Sequence, residues 1–279
     1  MSLTIENNIL MKNGKPFFYL ADTCWSAFTN IKDNDWDYYL DYRKSQGFNT
    51  LQINILPQWD ASATDLCYEP FEVIDGKYNY KKLNLSYFEH ADKMCARAKE
   101  KGFELALVIM WCNFVPDTWA SQFYSKGIMP IDCIDNYINI IHETFTKYEP
   151  LYIISGDTDF NTEQCIEYYV KCAKQIKELA PNCLYTTHIK GRYTYIPDNL
   201  YSYLDLCFYQ SGHNAQNLGM PYLLAEEMAD KYKGKPVINS EPCYEDMGYS
   251  RQMYGRWSKE DIIRAAWMSL LSGASAGIT

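Results

Sequence analysis

Residues 85–110 read LSYFEHADKMCARAKEKGFELALVIM. Leu85, Phe88, Ala91, Met94, Cys95 and Ala98 recur at three- and four-residue spacing, which gathers them on one face of a helix. Gly102 then supplies a left-handed cap, and Phe103–Met110 is a nearly unbroken apolar run of strand length. A strand that is apolar on both faces belongs to a parallel sheet covered on both sides. The stretch is therefore one helix-to-strand unit of an α/β fold.

The same unit recurs along the chain. Asp33–Gln46 reads as a helix with Trp36, Tyr39 and Leu40 on one face, and Gly47-Phe48 repeats the Gly102-Phe103 junction before a strand at Asn49–Ile55. Phe17–Thr23 reads as the first strand. Ile134, Tyr137, Ile138, Ile141 and Phe145 mark a further helix, followed by a strand at Leu151–Asp157. Asn161 stands as an N-cap, with Gln164 three residues on, for a helix through Ile166, Tyr169, Val170, Ala173 and Ile176. Later strands are expected at Leu184–Ile189, Leu204–Gln210, Pro236–Glu241 and Ser275–Thr279, with an irregular segment around Tyr193–Tyr203. Helices are expected from Pro221, as the first helical residue, to Gly234 and from Ser258 to Leu271.

Eight strands and about seven helices, at about 35 residues per unit, predict a (β/α)8 TIM barrel in one domain, residues 1–279, lacking the last helix. The runner-up is a doubly wound open sheet. It is disfavoured because Ala21-Asp-Thr-Cys-Trp25 stands after the first strand where a glycine-rich phosphate loop would be needed.

Composition removes several function classes. The 279 residues carry 26 Lys and Arg against 35 Asp and Glu, a net charge of −9 with no basic cluster, so nucleic acid is not an expected partner. No run approaches the roughly 20 apolar residues of a membrane span, and MSLTIENN lacks the plan of a signal peptide. The ten cysteines (24, 67, 95, 112, 133, 165, 172, 183, 207 and 243) include no CxxC pair and read as reduced core thiols. That favours the cytoplasm for the chain as given. A monomer or weak homo-oligomer is expected.

In such barrels the active site is built at the C-terminal ends of the strands. Those positions here are polar and aromatic: Asp22 and Trp25 after the first strand, Asn54 with Gln52 and Trp59 after the second, Trp111 and Asn113 after the third. Asp157 ends the fourth strand, His188 the fifth, Tyr209, Gln210 and His213 the sixth, and Glu241 the seventh, with Tyr244 and Glu245 following. Asp157 and Glu241 thus face each other across the mouth. Two such carboxyls are what glycoside hydrolysis requires, one to protonate the departing oxygen and one to attack the anomeric carbon or activate water. The remaining residues are read as contacts for sugar hydroxyls and ring faces. Glu245 stays open as an alternative to Glu241, and Asp159 is read as stabilising the start of the following helix. His188 and His213 have no HxH or HExxH company, so hydroxyl binding is preferred over metal, and neither metal nor cofactor is expected. His90 and His142 fall on helices away from the mouth.

The segment Asn13-Gly-Lys-Pro-Phe-Phe-Tyr-Leu-Ala-Asp-Thr-Cys-Trp25 resembles the opening of the apiosidase-like glycoside hydrolases, glycoside hydrolase family 140 and its relatives. The likeness continues in Lys44–Asn49, Ser155-Gly-Asp157, Ser240-Glu-Pro-Cys-Tyr-Glu245 and Arg264-Ala-Ala-Trp267. It implies a retaining barrel hydrolase with Asp157 at the acid/base position and Glu241 at the nucleophile position. Family members commonly continue past the eighth strand into a last helix and a β-sandwich, and no such segment follows Thr279 here. Two other readings stay open: a non-catalytic carbohydrate-binding barrel, and a hydrolase of β-glucan or mannan type.

Overall fold

A computed structural model describes residues 3–60, 62, 68–250, 254–274 and 277–279. Eight parallel strands form one sheet: β1 (Tyr19–Thr23), β2 (Thr50–Asn54), β3 (Glu104–Trp111), β4 (Leu151–Gly156), β5 (Leu184–Thr186), β6 (Cys207–Tyr209), β7 (Val237–Asn239) and β8 (Gly277–Ile278). Their order is β5-β4-β3-β2-β1-β8-β7-β6, the sequential order of a (β/α)8 barrel with the β5–β6 seam left open as a ladder. The seam is bridged instead by Thr186 Oγ1 donating to Leu206 O at 3.0 Å and Asp205 N donating to Tyr185 O at 2.8 Å. Every residue of β2, β3 and β4 is buried, as strands covered on both faces must be. Inside the barrel Gln52 takes the Tyr19 hydroxyl at 2.9 Å and reaches across to Ser240 O at 2.9 Å, so a polar side chain in the core is satisfied at both ends.

Among the described residues seven helices cover the connections, α1 (Asp33–Ser45), α2 (Leu85–Glu100), α3 (Ile134–Phe145), α4 (Glu163–Leu179), α5 (Asp198–Tyr201), α6 (Met220–Lys231) and α7 (Lys259–Leu271), and a further single turn, Ala27–Asn30, precedes α1. The two Gly-Phe junctions behave as read, with Gly47 and Gly102 at φ +93° and +84° and Phe103 fully buried. Among the described residues no helix lies over β8 between α7 and α1. A groove of about 820 Å3 runs there, lined by Leu20, Phe48, Ile262, Ala266 and Ile278.

Several details differ from the sequence expectations. The chain opens with a small antiparallel sheet, Leu3–Glu6, Ile9–Lys12 and Lys15–Pro16, so β1 starts at Tyr19 rather than Phe17. Leu3 and Leu10 are buried, and Lys12 Nζ lies 2.5 Å from Glu104 Oε1 at the N-terminal end of β3, which places this sheet at the floor of the barrel, opposite the mouth. A second hairpin, Phe71–Ile74 with Lys77–Leu83, occupies what read as a long loop before α2. Pro221 is the second residue of α6 rather than the first, and the helix stops at Lys231, short of Gly234. Residues 275 and 276 of the expected last strand, and Cys67, lie outside the described residues. The other nine cysteines are free thiols, eight of them buried.

The N-cap of α4 is Thr162, not Asn161. Thr162 has the extended backbone a cap needs, and its Oγ1 accepts Cys165 N–H at 3.2 Å. Asp159 lies four residues before the helix, too far to serve its first turn; it is buried and takes Lys190 Nζ at 2.9 Å instead. Thr162→Ala is expected to cost about 1 kcal/mol, read as a lower urea midpoint at unchanged slope. An unchanged midpoint would contradict the capping role.

Candidate active site

The β4 and β5 chains stay paired beyond their strands. His188 N donates to Ser155 O at 3.1 Å, Ser155 Oγ donates to His188 O at 3.1 Å, and Lys190 N donates to Thr158 O at 2.8 Å. Between these contacts Gly156 and Asp157 turn sharply. Asp157 sits at φ +48°, a left-handed conformation that a short acidic residue tolerates better than most side chains. Its backbone is pinned on both sides, since its N–H donates to His188 Nδ1 at 3.2 Å and its carbonyl accepts Trp119 Nε1–H at 2.7 Å.

Because His188 Nδ1 accepts a backbone N–H, that nitrogen carries no proton, and the hydrogen of the neutral ring is on Nε2. Nε2 lies 3.0 Å from Glu241 Oε2, somewhat off the line of its N–H. The other carboxylate oxygen, Oε1, meets His213 Nε2 at 2.8 Å. One imidazole therefore spans the gap between the Asp157 backbone and Glu241. Glu241 thus receives an imidazole on each oxygen, from the ends of β5 and β6.

The two carboxyls sit in opposite electrostatic settings. Burial alone would raise the Glu241 pKa, but the interactions of its two oxygens with His188 and His213 outweigh it and hold the carboxyl well below the usual range. Asp157 is pushed well above its usual range, first by burial and then by the Glu241 charge, against weaker opposition from Gln210, Lys190 and the Gly191 N–H. Gln210 Nε2 donates to both Asp157 Oδ1 at 2.7 Å and Ile189 O at 2.9 Å. Two acceptors demand the amide nitrogen, which fixes the orientation of the side chain and leaves Asp157 Oδ2 to carry a proton.

Aromatic rings wall this pair. Trp25, Trp111 and His188 form a triangle with centroid separations of 5.2–5.4 Å, and Trp25 Nε1 donates to the Tyr244 hydroxyl at 3.2 Å. The Tyr244 ring packs against His213 with centroids 4.5 Å apart and 37° between the rings. Burial and the Glu241 charge push its hydroxyl pKa up, so it stays protonated.

Of the residues singled out from the sequence, Asp157, Glu241, His188, Gln210, His213, Trp25, Trp111 and Tyr244 come together in this cluster. Asn54 sits at the buried end of β2, with Nδ2 3.4 Å from Gln58 Oε1 and with Oδ1 unpartnered among the described residues. Asp22 turns outward to α1, where it pairs with Arg43 at 2.6 Å and accepts the Tyr39 hydroxyl. Tyr209 also turns away, giving its hydroxyl to Pro221 O at 2.8 Å. Glu245 is exposed and borders the groove beside β8. His90 stacks on Tyr68 and His142 meets Thr146, both on the helical layer.

Sequence reasoning passed over two contributors. Gly156 lies opposite Trp111 in the β3–β4 register with no room for a side chain. Asp60, beyond β2, has its carboxyl pKa raised by burial and, to a smaller degree, by the Glu241 charge. Of the two, only Gly156 left a signal, as a glycine directly before a strand-end carboxylate. Trp119, after β3, anchors the Asp157 carbonyl. Among the described residues no three His, Cys, Asp or Glu side chains are arranged to hold a metal ion, and no helix is long and apolar enough to cross a membrane.

Comparison with known proteins agrees with this architecture. A glycoside hydrolase family 5 structure from Bacteroides vulgatus superposes with a TM-score of 0.82 at 24% identity, covering 100% of this chain and 61% of its own. A second structure, described as a glycoside hydrolase, gives 0.81 at 25% identity with 100% and 64% coverage. The endo-1,4-β-mannanase from Rhizomucor miehei gives 0.64 at 13% identity, with 100% and 89% coverage. The chain thus spans less than two thirds of the length of the two structures it resembles most among these. No curated protein matches its sequence. The model of the apiosidase-like catalytic domain matches residues 5–279, and with the barrel and the strand-end residues now in place, the chain belongs to the apiosidase-like family of glycoside hydrolase barrels.

Proposed function

We propose that this protein hydrolyses glycosidic bonds with retention of anomeric configuration, Glu241 acting as nucleophile and Asp157 as acid and then base. The observation that carries the reading is the opposite tuning of two carboxyls bridged by one imidazole. A nucleophile must be ionised and an acid must hold its proton at the same pH, and the environments of Glu241 and Asp157 meet those two demands.

In the first step a Glu241 oxygen attacks the anomeric carbon, the glycosidic C–O bond breaks, and the proton on Asp157 Oδ2 passes to the departing oxygen. In the second, water attacks the same carbon, gives its proton to Asp157, and the ester to Glu241 breaks, restoring both groups. His188 and His213 are positioning residues: they hold the Glu241 carboxylate through its two oxygens and keep it ionised. That role replaces hydroxyl binding for His188, whose ring has no exposed surface. Gln210 positions the acid through Oδ1. Trp25, Trp111 and Tyr244 shape the wall against which a sugar ring packs.

The activity needs Glu241 ionised and Asp157 protonated. It is therefore present between the lowered pKa of the first and the raised pKa of the second, and falls as pH rises through the latter. Asp157→Asn tests the assignment. For substrates with a poor leaving group kcat/KM is expected to fall on the order of 10²–10⁴-fold, because proton donation is lost. Glycosyl fluorides, whose leaving group needs little protonation, are expected to lose far less, and the alkaline fall in the pH profile disappears with them. Equal losses on both substrates with the alkaline limb intact would assign the acid elsewhere.

A further inference from the structure

His213 reaches Glu241 from the loop between β6 and α6, which has no helix or strand of its own to hold it in place. Gly212 N donates to Glu241 O at 3.1 Å, so the loop also touches the backbone of the residue whose carboxylate it supports. A second fastening comes from Arg192, beyond the end of β5. Its Nη2 donates to Asn214 O and, at 2.6 Å, to Gln216 O, and Nε donates to Ser211 O at a longer 3.5 Å. These carbonyls flank His213 on both sides along the chain. A guanidinium suits the task, because its donors form a rigid planar fork that several acceptors can share, whereas an ammonium is a point charge on a flexible stem.

The backbone of Arg192 is anchored beside the acid. Its N–H donates to Gln210 O at 2.9 Å, and the Gln210 amide donates to Asp157 Oδ1 at 2.7 Å. The N–H of the preceding residue, Gly191, donates to the Asp157 carboxyl itself. Arg192 holds this place at φ +67°, a left-handed conformation that a long side chain keeps only where its surroundings enforce it. Glycine would adopt the same backbone without strain, so what arginine adds here is the guanidinium.

We infer that Arg192 is a positioning residue for the reaction: its backbone belongs to the segment that holds Asp157, and its guanidinium locks the loop that presses His213 onto Glu241, so one side chain ties the two carboxyl supports together. This rests on the assignment of Glu241 as nucleophile and Asp157 as acid. Without the lock His213 loses its fixed approach to Oε1, while His188, Asp157, Asp60 and Tyr244, the other titratable groups that act on or feel Glu241, stay on their own elements. Glu241 then regains part of its affinity for a proton. Activity needs Glu241 ionised, so on the acidic side it falls off at a higher pH.

Arg192→Gly deletes the guanidinium and suits the left-handed backbone. It is assayed on whichever 4-nitrophenyl mannoside, glucoside, galactoside or apioside the wild type turns over fastest. At the wild-type optimum kcat/KM is expected to fall about 10- to 100-fold, the scale of a displacement near 1 Å at a reacting centre. The acid limb of the pH profile is expected to rise by about one pH unit or more. A residue that only stabilises the fold would lower activity by one factor at every pH and leave that limb in place. His213→Ala is made alone and together with Arg192→Gly. Both act on one contact, so the double variant is expected to lose less than the product of the two single losses. If the glycine variant does not fold, Arg192→Lys carries the same readouts, with a smaller loss and the limb moved in the same direction. An unmoved acid limb, or losses that multiply, overturns the role of Arg192 while the glycosidase assignment stands. If the wild type hydrolyses none of the four glycosides, the hydrolytic assignment fails and this inference falls with it.

Discussion

Glu241→Gln is expected to abolish hydrolysis, with a loss on the order of 10⁴-fold or more in kcat, the scale seen when a covalent nucleophile is removed. Its fold is expected to survive, and the hydrogen bonding explains why. His188 must keep its proton on Nε2, because Nδ1 accepts the Asp157 N–H, so it still donates to the amide oxygen of the new side chain. His213 has a buried Nδ1 without a partner, so its proton can move there and free Nε2 to accept from the new amide nitrogen. Both contacts persist in neutral form, and the melting temperature is expected to stay within about 2–4 °C, the equivalent of about 1 kcal/mol in a chain of this size. Glu241→Ala lacks that compensation and takes the carboxylate contact from the buried His188 and the partly exposed His213.

A second consequence concerns Asp157. The Glu241 charge is the second cause of its raised pKa, after burial, so Glu241→Gln lowers it toward the ordinary range without restoring it fully. Carbon-13 NMR of labelled aspartate reads that change with no need for turnover. Incubation of the wild type with a 2-deoxy-2-fluoroglycosyl fluoride is expected to leave the sugar on the peptide containing Glu241. A label on Glu245 instead would reassign the nucleophile, and an unmodified protein that still hydrolyses its substrate would exclude the covalent route.

Much of this arrangement is legible in the sequence because barrels repeat one unit. Helical spacing in α2, a glycine cap and an apolar strand recur often enough to count, and the strand ends then point to Asp157 and Glu241 with no contact information. What stayed hidden depends on side-chain direction. Asp22 ends β1 as Asp157 follows β4, yet Tyr39 and Arg43 of α1 draw it to the outer face, and the partner that decides this is 17 to 21 residues away. Tyr209 is lost from the mouth for a similar reason, since strand alternation turns it toward α6. His188 was legible as a mouth residue but not as a bridge, because that role depends on the left-handed turn at Asp157 that presents its N–H to the ring. The three-stranded sheet at 3–16 and the hairpin at 71–83 escape the sequence reading because strands this short carry little periodic signal.

Gly156→Ala is the substitution expected to harm the fold most. The backbone here is not left-handed, so glycine is required for space rather than for conformation. A Cβ on residue 156 would fall 2.0 Å from Cε3 of Trp111 and 2.5 Å from Cδ2, well inside van der Waals contact. Trp111 lies directly across the β3–β4 ladder and has little freedom to yield, being buried between Trp25 and His188. Moving its ring drives His188 out of the gap between Asp157 and Glu241, so stability and activity fall together. Overpacking of a rigid core costs about 1–3 kcal/mol and more where nothing gives, which at roughly 2–4 °C per kcal/mol lowers the melting temperature by about 6 °C or more. The cause is separable by a double-mutant cycle. Trp111→Leu alone destabilises by leaving a cavity, but combined with Gly156→Ala it makes room for the added methyl, so the double variant is expected to be more stable than the sum of the two losses predicts. Strict additivity, or a Gly156→Ala variant that melts within about 2 °C of the wild type, would show that the indole does not depend on the bare backbone at 156.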